Sequence, residues 1–235
     1  MFKKISLFLI VALLGVLVVA CSSSEEGLPA VLATVNGEEI SKEDFEVEYD
    51  QYLVNLQQQG HDLEALEEDP EFQEFKPQVQ EQILEQLISV ELVNQGAKQQ
   101  GITKDSVENE VDEFINSTID TDFAGDEEEF ENILKEQLGV SLNEYRELVT
   151  QELVQEEFLE TKIDFDAITV SDEKIQEVYD QQVEMMEAQG MDVPEFEEIK
   201  PMIENQLMEE ELGLKVQEVI DDLKADSDID VKVEF

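Results

Sequence analysis

The chain has very few of the residue types that build most catalytic and metal sites. Its 235 residues include one cysteine, one histidine and no tryptophan. A single cysteine excludes a disulfide within the monomer and a cluster of metal-binding thiolates. A single histidine excludes a metal site built on several imidazoles, and a Ser-His-Asp or Cys-His arrangement would have to use His61, which has no marked nucleophile around it. We therefore predict no enzymatic activity, no cofactor and no metal centre.

The absence of tryptophan and of a glycine-rich loop argues against two classes of ligand, sugars and nucleotides. Without tryptophan the chain lacks the usual stacking platform for sugars, so its many carboxylates do not identify a glycosidase. No glycine-rich loop follows a predicted strand, which argues against nucleotide binding.

Basic residues are also scarce. Fourteen lysines and arginines stand against 61 aspartates and glutamates, which gives a formal net charge of −47. Such a surface repels phosphate, so nucleic acid and anionic lipid surfaces are not expected partners. The charge fits basic clients or calcium, or simply a solvated surface suited to a salty or alkaline exterior. Hydrophobic residues still make up 41% of the chain, and a folded core is expected.

The first 29 residues have the composition of an export signal followed by a tether. Lys3 and Lys4 precede an apolar run, and the small Ala20 precedes Cys21. This order is typical of a lipoprotein, so we predict a signal peptide over residues 1–20 and acylation of Cys21. Residues 21–29 are polar and contain Gly and Pro, as in a flexible tether.

An uncleaved anchor helix is the alternative, although the apolar run is short for a helix that spans a bilayer. Both arrangements place the folded part outside the cytoplasm. The lipoprotein prediction attaches the chain to the extracytoplasmic face of the cell membrane through its N-terminal lipid only.

Four predicted helix starts share one pattern, in which an apolar residue precedes a serine or threonine. The pairs are Ile40-Ser41, Ile102-Thr103, Val140-Ser141 and Val170-Ser171. The hydroxyl can accept the unpaired N–H groups of a first turn, and Asp44 and Glu144 follow two of the hydroxyls at capping-box spacing. An apolar residue four positions after each hydroxyl can close back on the one before it, namely Phe45, Val107, Tyr145 and Ile175.

The remaining signals complete a mainly α fold. Two longer helices are predicted from about Pro77 to Gln100, ended by Gly101, and from Pro194 to about Lys224. Strand patterns occur at the two ends of the folded part, before the Asn36-Gly37 turn and over residues 229–235. A lone two-stranded piece is marginal in water, so the N- and C-terminal strands are expected to pair in a small β-sheet beneath the helices.

The order of these elements resembles the SurA/PrsA family of extracytoplasmic chaperones. Members commonly open with a strand, an Asn-Gly turn and an Ile-Thr/Ser helix start, as in ATVNGEEISKEDF at residues 33–45. A later helix start and a final helix match VSDEKIQEVYD at 170–180 and PEFEEIKPMIENQL at 194–207. The resemblance implies that residues 30–235 form a SurA N-terminal-like helical chaperone domain, closed by the helix and strand of residues 194–235.

The chain departs from the enzyme members of that family. Their parvulin-type prolyl isomerase domain, of roughly a hundred residues, lies between those two later elements. Here only residues 181–193 occupy the gap, and no glycine-rich parvulin pattern is present. The resemblance therefore implies a holdase for unfolded or secreted polypeptides, without isomerase activity.

Methionine is the candidate contact residue for such clients. Apart from Met1, every methionine lies in one segment: Met185, Met186, Met191, Met202 and Met208. Flexible thioether side chains adapt to many client sequences, so we predict that this segment lines a client-binding groove. The alternative is that these side chains fill irregular gaps in the core.

An imperfect calcium-loop pattern covers residues 120–131. The ligand positions would be Asp120, Asp122, Gly125, Glu128 and Glu131. Ala124 occupies a position that normally ligates, and so acidic a chain produces partial matches by chance. No metal site is therefore assigned.

A second class of function remains open. The chain could be a lipid-anchored helical scaffold or a binding lipoprotein with one dedicated ligand. A solute-binding lipoprotein usually needs alternating strands and helices in two lobes, and the repeated strands are missing here. The sequence leaves the client identity and the oligomeric state open.

Overall fold

The computed structural model describes residues 27–235 of the chain. Within this range the chain is mainly α, as predicted, with three short strands. The elements in chain order are β1 (Val31–Val35), β2 (Glu38–Ser41), α1 (Lys42–Gln58), α2 (Leu63–Glu68), α3 (Pro70–Gln100), α4 (Glu108–Asp122), α5 (Glu127–Ile133), α6 (Leu142–Glu160), α7 (Asp172–Ala188), α8 (Phe196–Ala225) and β3 (Ile229–Val231). A π-helical turn at Leu134–Leu138 continues α5, and a 3-10 turn covers Phe165–Ala167.

The chain forms two compact units. The first contains the residues up to Phe158 together with Asp222–Phe235, and the second contains Leu159–Asp221. No helix within residues 27–235 has the length and apolar character needed to cross a bilayer.

The predicted pairing of the terminal strands is confirmed. β1 pairs antiparallel with β3, with Ala33 opposite Val231 and Val35 opposite Ile229. The prediction missed β2, which pairs with the other edge of β1 to give the strand order β2-β1-β3. The central strand thus joins elements from opposite ends of the described chain.

The turn between β1 and β2 also binds the C-terminal segment. Asn36 adopts a left-handed conformation with φ of 54°, followed by Gly37 at 90°, as a tight hairpin requires. The Asn36 side chain donates to Ser227 Oγ at 3.0 Å and to Gln95 Oε1 at 2.8 Å, and it accepts from the Asp228 N–H at 2.9 Å. One asparagine therefore connects the hairpin with α3 and with the residues that precede β3.

The core of the first unit lies between the sheet and two helices. Leu32 and Val35 of β1 pack with Phe45 of α1 and with Ile88 of α3, and all four side chains are buried. The ring of Phe235 stacks on Phe45 with 5.1 Å between ring centroids. The last residue of the chain thus contributes to the same core as the first strand.

A second cluster in this unit joins α4, α5 and α6. Val111 and Ile115 of α4 are buried with Phe130 of α5 and Val149 of α6. The ring of Tyr145 meets Phe130 edge to face at a centroid distance of 5.6 Å.

Three of the four predicted caps are confirmed. Ser41 and Asp44 form a capping box at the start of α1, where the Asp44 N–H donates to Ser41 Oγ at 3.1 Å. Ser141 and Glu144 make the same exchange at α6, and Ser171 accepts from the Lys174 N–H at α7. At each of these three caps, the apolar residue before the serine and the one four positions after it lie within the same hydrophobic cluster.

The predicted start at Thr103 is wrong. Ser106 intervenes, because its hydroxyl accepts from the Thr103 N–H at 3.0 Å and donates to the Thr103 carbonyl at 2.7 Å. These bonds stabilise a turn, and α4 begins only at Glu108.

The bounds of the two long helices also differ from prediction. α3 begins at Pro70 with Asp69 as its cap, so Pro77 lies inside the helix. α8 begins at Phe196 and contains Pro201. The end of α3 is as predicted, with Gly101 in the left-handed conformation at φ of 80°.

The Phe158 side chain of α6 packs against the α3 backbone at Gly96. A Cβ atom added there would lie 2.5 Å from Cζ of Phe158, which is 1% exposed. Glycine at this position allows the phenyl ring of Phe158 to pack directly against the α3 backbone.

We expect Gly96→Ala to lower the free energy of unfolding by about 1–3 kcal/mol, because the phenyl ring and the helix must separate. Gly213 of α8 provides a matched control, since an added Cβ there has no atom within 4 Å. Gly213→Ala should raise the free energy of unfolding by roughly 0.5–1 kcal/mol through helix propensity. Urea denaturation followed by circular dichroism measures both changes, and equal effects of the two substitutions would contradict the close approach.

Candidate functional site

The second unit is built on the packing of α7 against the first half of α8. Ile175 of α7 is buried with Ile203 and Leu207 of α8. Lys200 of α8 donates to Asp172, in the first turn of α7, at 2.7 Å. The core and this ion pair fix the start of α7 against α8.

The connection between the two helices is held by aromatic residues. The Tyr179 ring meets Phe196 edge to face at a centroid distance of 5.2 Å, and its hydroxyl donates to the Pro194 carbonyl at 2.9 Å. Residues 189–195 lie between the helices, so α8 follows α7 after one short connection. The gap that holds an isomerase domain in the enzyme members of the resembled family is thus filled by the end of α7 and this connection.

The five predicted methionines lie on α7, on α8 and in the connection between them, and none of them is buried. Met185 and Met186 lie in the last turn of α7, Met191 lies in the connection, and Met202 and Met208 lie in α8. Met185, Met191 and Met202 are 60%, 47% and 57% exposed, and the other two are half-buried. The small core of Ile175, Ile203 and Leu207 includes none of the five. We call these five side chains the methionine surface.

The segment that carries the methionine surface is rich in acidic residues. Residues 185–208 include six aspartates and glutamates and one lysine, Lys200. That lysine pairs with Asp172, and its ammonium group lies 5.9 Å from the Phe196 ring centroid. Apolar contact area is therefore available within a field of negative charge.

A titratable carboxyl lies on α1 in the first unit. Glu48 is half-buried and one turn from Asp44. Burial first, and the negative charge of Asp44 second, raise its pKa from the ordinary value of 4.5 to about 7. The folded state therefore keeps this carboxyl protonated to a higher pH than the unfolded chain does.

A raised pKa in the folded state fixes the direction of the pH effect. The stability contributed by protonated Glu48 is fully present below pH 4.5 and is lost as the pH rises towards about 7. At about pH 4.5 the Glu48→Gln variant is therefore expected to melt close to the temperature of the parent protein. At about pH 8 it is expected to melt at a higher temperature than the parent. Exposed Glu147→Gln in α6 is the control in thermal melts across this range, and a Glu48→Gln difference that does not grow with pH would contradict the assignment.

The calcium-loop pattern does not form a loop in the structure. Asp120 and Asp122 belong to α4, and neighbours two apart on a helix do not share a face. Glu131 pairs with Lys135 at 2.8 Å. Within residues 27–235 no group of three or more histidine, cysteine, aspartate or glutamate side chains could hold a metal ion.

The other two predicted positions have different outcomes. His61 is exposed between α1 and α2, as expected for a loop residue. Cys21, the predicted lipidation site, and the signal peptide of residues 1–20 lie outside the described residues, so both stay predictions.

A second exposed apolar surface was missed from the sequence. It covers residues 50–78, where Val54 and Phe75 are 36% and 46% exposed and no side chain is buried. Its apolar residues follow helical spacing, which normally predicts a core-facing stripe. The apolar pairs Leu63/Leu66 and Phe72/Phe75 before Pro77 are the available signal.

The described fold is a helical domain closed by a small three-stranded sheet, and comparison with known proteins assigns it to a family. The family model described as the SurA-like N-terminal domain matches residues 1–159. The match covers more than half of the chain, and the chain therefore belongs to this family.

A curated relative extends the similarity beyond that domain. The chain is 29% identical over 188 residues to the foldase protein PrsA of Caldanaerobacter subterraneus subsp. tengcongensis. The alignment covers 79% of this chain and 54% of the relative, so the chain spans about half the length of that protein. No solved structure matches the chain.

Proposed function

We propose that this protein is a lipid-anchored extracytoplasmic chaperone that holds unfolded exported polypeptides without isomerising their prolyl bonds. The observation that carries the proposal is the methionine surface, because three unbranched apolar side chains are about half exposed beside a small, complete core. Membership of the SurA-like family and the similarity to a protein named as a foldase support the same function.

The physical argument concerns adaptability. A holdase must accept many client sequences, so it needs apolar contacts that do not require one register. Methionine has three rotatable bonds and a polarisable sulfur, and it fits partners of different shape. Burial of one methionine side chain against a client stabilises a complex by up to about 1.5–3 kcal/mol, and several together give useful but reversible affinity.

The residues described between α7 and α8 support holding without catalysis. The seven-residue connection at 189–195 leaves no space in the sequence for an isomerase domain at that point. Holding alone needs only exposed apolar surface and no proton transfer. A proline-containing peptide assay with the purified chain is expected to show the uncatalysed cis-to-trans rate, and acceleration would exclude this part of the proposal.

The methionine surface is tested by replacing its three exposed members together, as Met185→Gln, Met191→Gln and Met202→Gln. About tenfold more protein should then be needed to prevent aggregation of several unrelated unfolded proteins, since the lost apolar contacts are replaced by polar ones. Light scattering during dilution of each client from denaturant measures the effect.

Leu214→Gln is the matched control, because Leu214 is 56% exposed on the same helix, α8, outside the methionine surface. Helicity must stay at the parent level in both variants. Unchanged holding after the triple substitution would refute the role of the methionines. Holding of a single client and no other would favour a scaffold with one dedicated ligand.

The anchor is tested at Cys21. Cys21→Ser should leave the chain unacylated, and mass spectrometry and membrane fractionation should show loss of the lipid and of the cleavage before residue 21. A lipidated or normally cleaved Cys21→Ser chain would contradict the lipoprotein prediction.

A further inference from the structure

The second exposed surface of the molecule has a partner chemistry that can be inferred from its charges. It comprises the C-terminal half of α1, all of α2 and the beginning of α3, residues 50–78, and we call it the 50–78 surface. α2 contacts both α1 and α3, so the three segments form one continuous surface. None of its residues is buried.

Apolar side chains recur across this surface at helical spacing. Val54 and Phe75 are exposed, and Leu56, Leu63, Leu66 and Phe72 are half-buried, whereas the half-buried Tyr52 and Leu53 pack against the core of the first unit. Leu63 and Leu66 are three apart on α2, and Phe72 and Phe75 are three apart on α3, which places each pair on one face of its helix. An extended apolar face thus remains in contact with solvent.

The backbone beneath this face is fixed by polar contacts. Asp62 caps α2 by accepting from the Glu64 N–H at 3.1 Å, and Asp69 caps α3 by accepting from the Glu71 N–H at 2.8 Å. The Gln73 amide donates to the Glu67 carbonyl at 2.8 Å. These bonds order the starts of α2 and α3, and local order of this kind lowers the entropic cost of binding.

The charges among the apolar side chains are almost all negative. The surface has one lysine, Lys76, whose ammonium group lies 5.7 Å from the Tyr49 ring centroid. Its acidic residues are Asp50, Asp62, Glu64, Glu67, Glu68, Asp69, Glu71 and Glu74. A second copy of this chain, with its net charge of −47, would be repelled at close approach.

We propose that the 50–78 surface binds basic, apolar segments of client polypeptides, so that lysine- and arginine-rich hydrophobic stretches are the preferred substrate class. This inference rests on the proposed holding function. The apolar face supplies contact area, and the surrounding carboxylates attract and orient the positive side chains of the client.

The test uses two short peptides, one of leucine, alanine and lysine and one with glutamine in place of each lysine. The full chain is held in nanodiscs of neutral phosphatidylcholine, and binding is measured by fluorescence anisotropy. At low ionic strength the lysine peptide should bind about tenfold more tightly than the glutamine peptide, and salt should reduce the difference.

Two variants locate the binding. In the first, Glu67, Glu68, Glu71 and Glu74 are all replaced by glutamine, which should remove most of the lysine preference. In the second, Val54→Gln and Phe75→Gln should weaken binding of both peptides. Circular dichroism confirms that each variant is folded.

Matched controls have the same number of changes elsewhere. Glutamine at Glu108, Glu110, Glu113 and Glu136, which are also exposed, removes four charges far along the sequence. Leu214→Gln with Val231→Thr removes two apolar side chains that are 56% and 48% exposed. Both controls should bind as the parent does.

The proposal is overturned if the two peptides bind equally, if the charge control removes the lysine preference as fully as the first variant, or if the second variant binds normally. Sedimentation showing that Val54→Gln and Phe75→Gln dissociate a dimer would instead assign this face to self-association, and would also overturn it. Aggregation suppression separates the two claims, because a parent chain that holds no client refutes the proposed function itself. Persistent holding with no peptide preference refutes only the role of the 50–78 surface.

Discussion

The fold of the first unit depends on the pairing of β1 with strands from both sides. β1 lies between β2, its immediate neighbour in sequence, and β3, which comes almost two hundred residues later. A two-stranded hairpin is marginally stable in water, whereas a third strand and an apolar cover make a stable sheet. Asn36 reinforces the pairing because its side chain bonds Ser227 and Asp228 as well as Gln95. Phe235 then completes the core through its stack on Phe45.

Local signals were sufficient to predict much of this architecture. Ser41, Ser141 and Ser171 act as caps. A serine hydroxyl directly before an amphipathic helix accepts a hydrogen bond from a backbone N–H of the first turn. Thr103 failed because Ser106 offers an equally local hydrogen bond that stabilises a turn. The sequence pattern predicts a helix start at Pro77, whereas α3 begins at Pro70 and contains Pro77. Packing against neighbouring elements decides between such alternatives, a helix or a turn and an earlier or a later helix start. A local sequence pattern carries no information about that packing.

The surfaces were harder to predict than the fold. The clustering of the methionines is visible in the sequence, but their exposure depends on Ile175, Ile203 and Leu207 filling the hairpin core without them. The apolar residues of the 50–78 surface have the same spacing as residues that face a core, so no periodicity distinguishes them. The difference arises because α3 buries side chains only from Val79 onward. Exposure is a property of the whole packing arrangement, and composition gives only the candidates.

The position of β3 has a consequence for how the protein is made. Ala33 and Val231 must meet for β1 and β3 to pair, and during synthesis the first emerges long before the second. Until then the edge of β1 that pairs with β3 is unpaired. Pairing β1 with β3 closes a long loop, which has an entropic cost, whereas helices such as α4 form from local contacts without that cost. The helices can assemble as they emerge, while completion of the sheet waits for the last residues. The first unit therefore stays incomplete while most of the chain is made, and β1 and β2 form only a marginal hairpin until β3 is available.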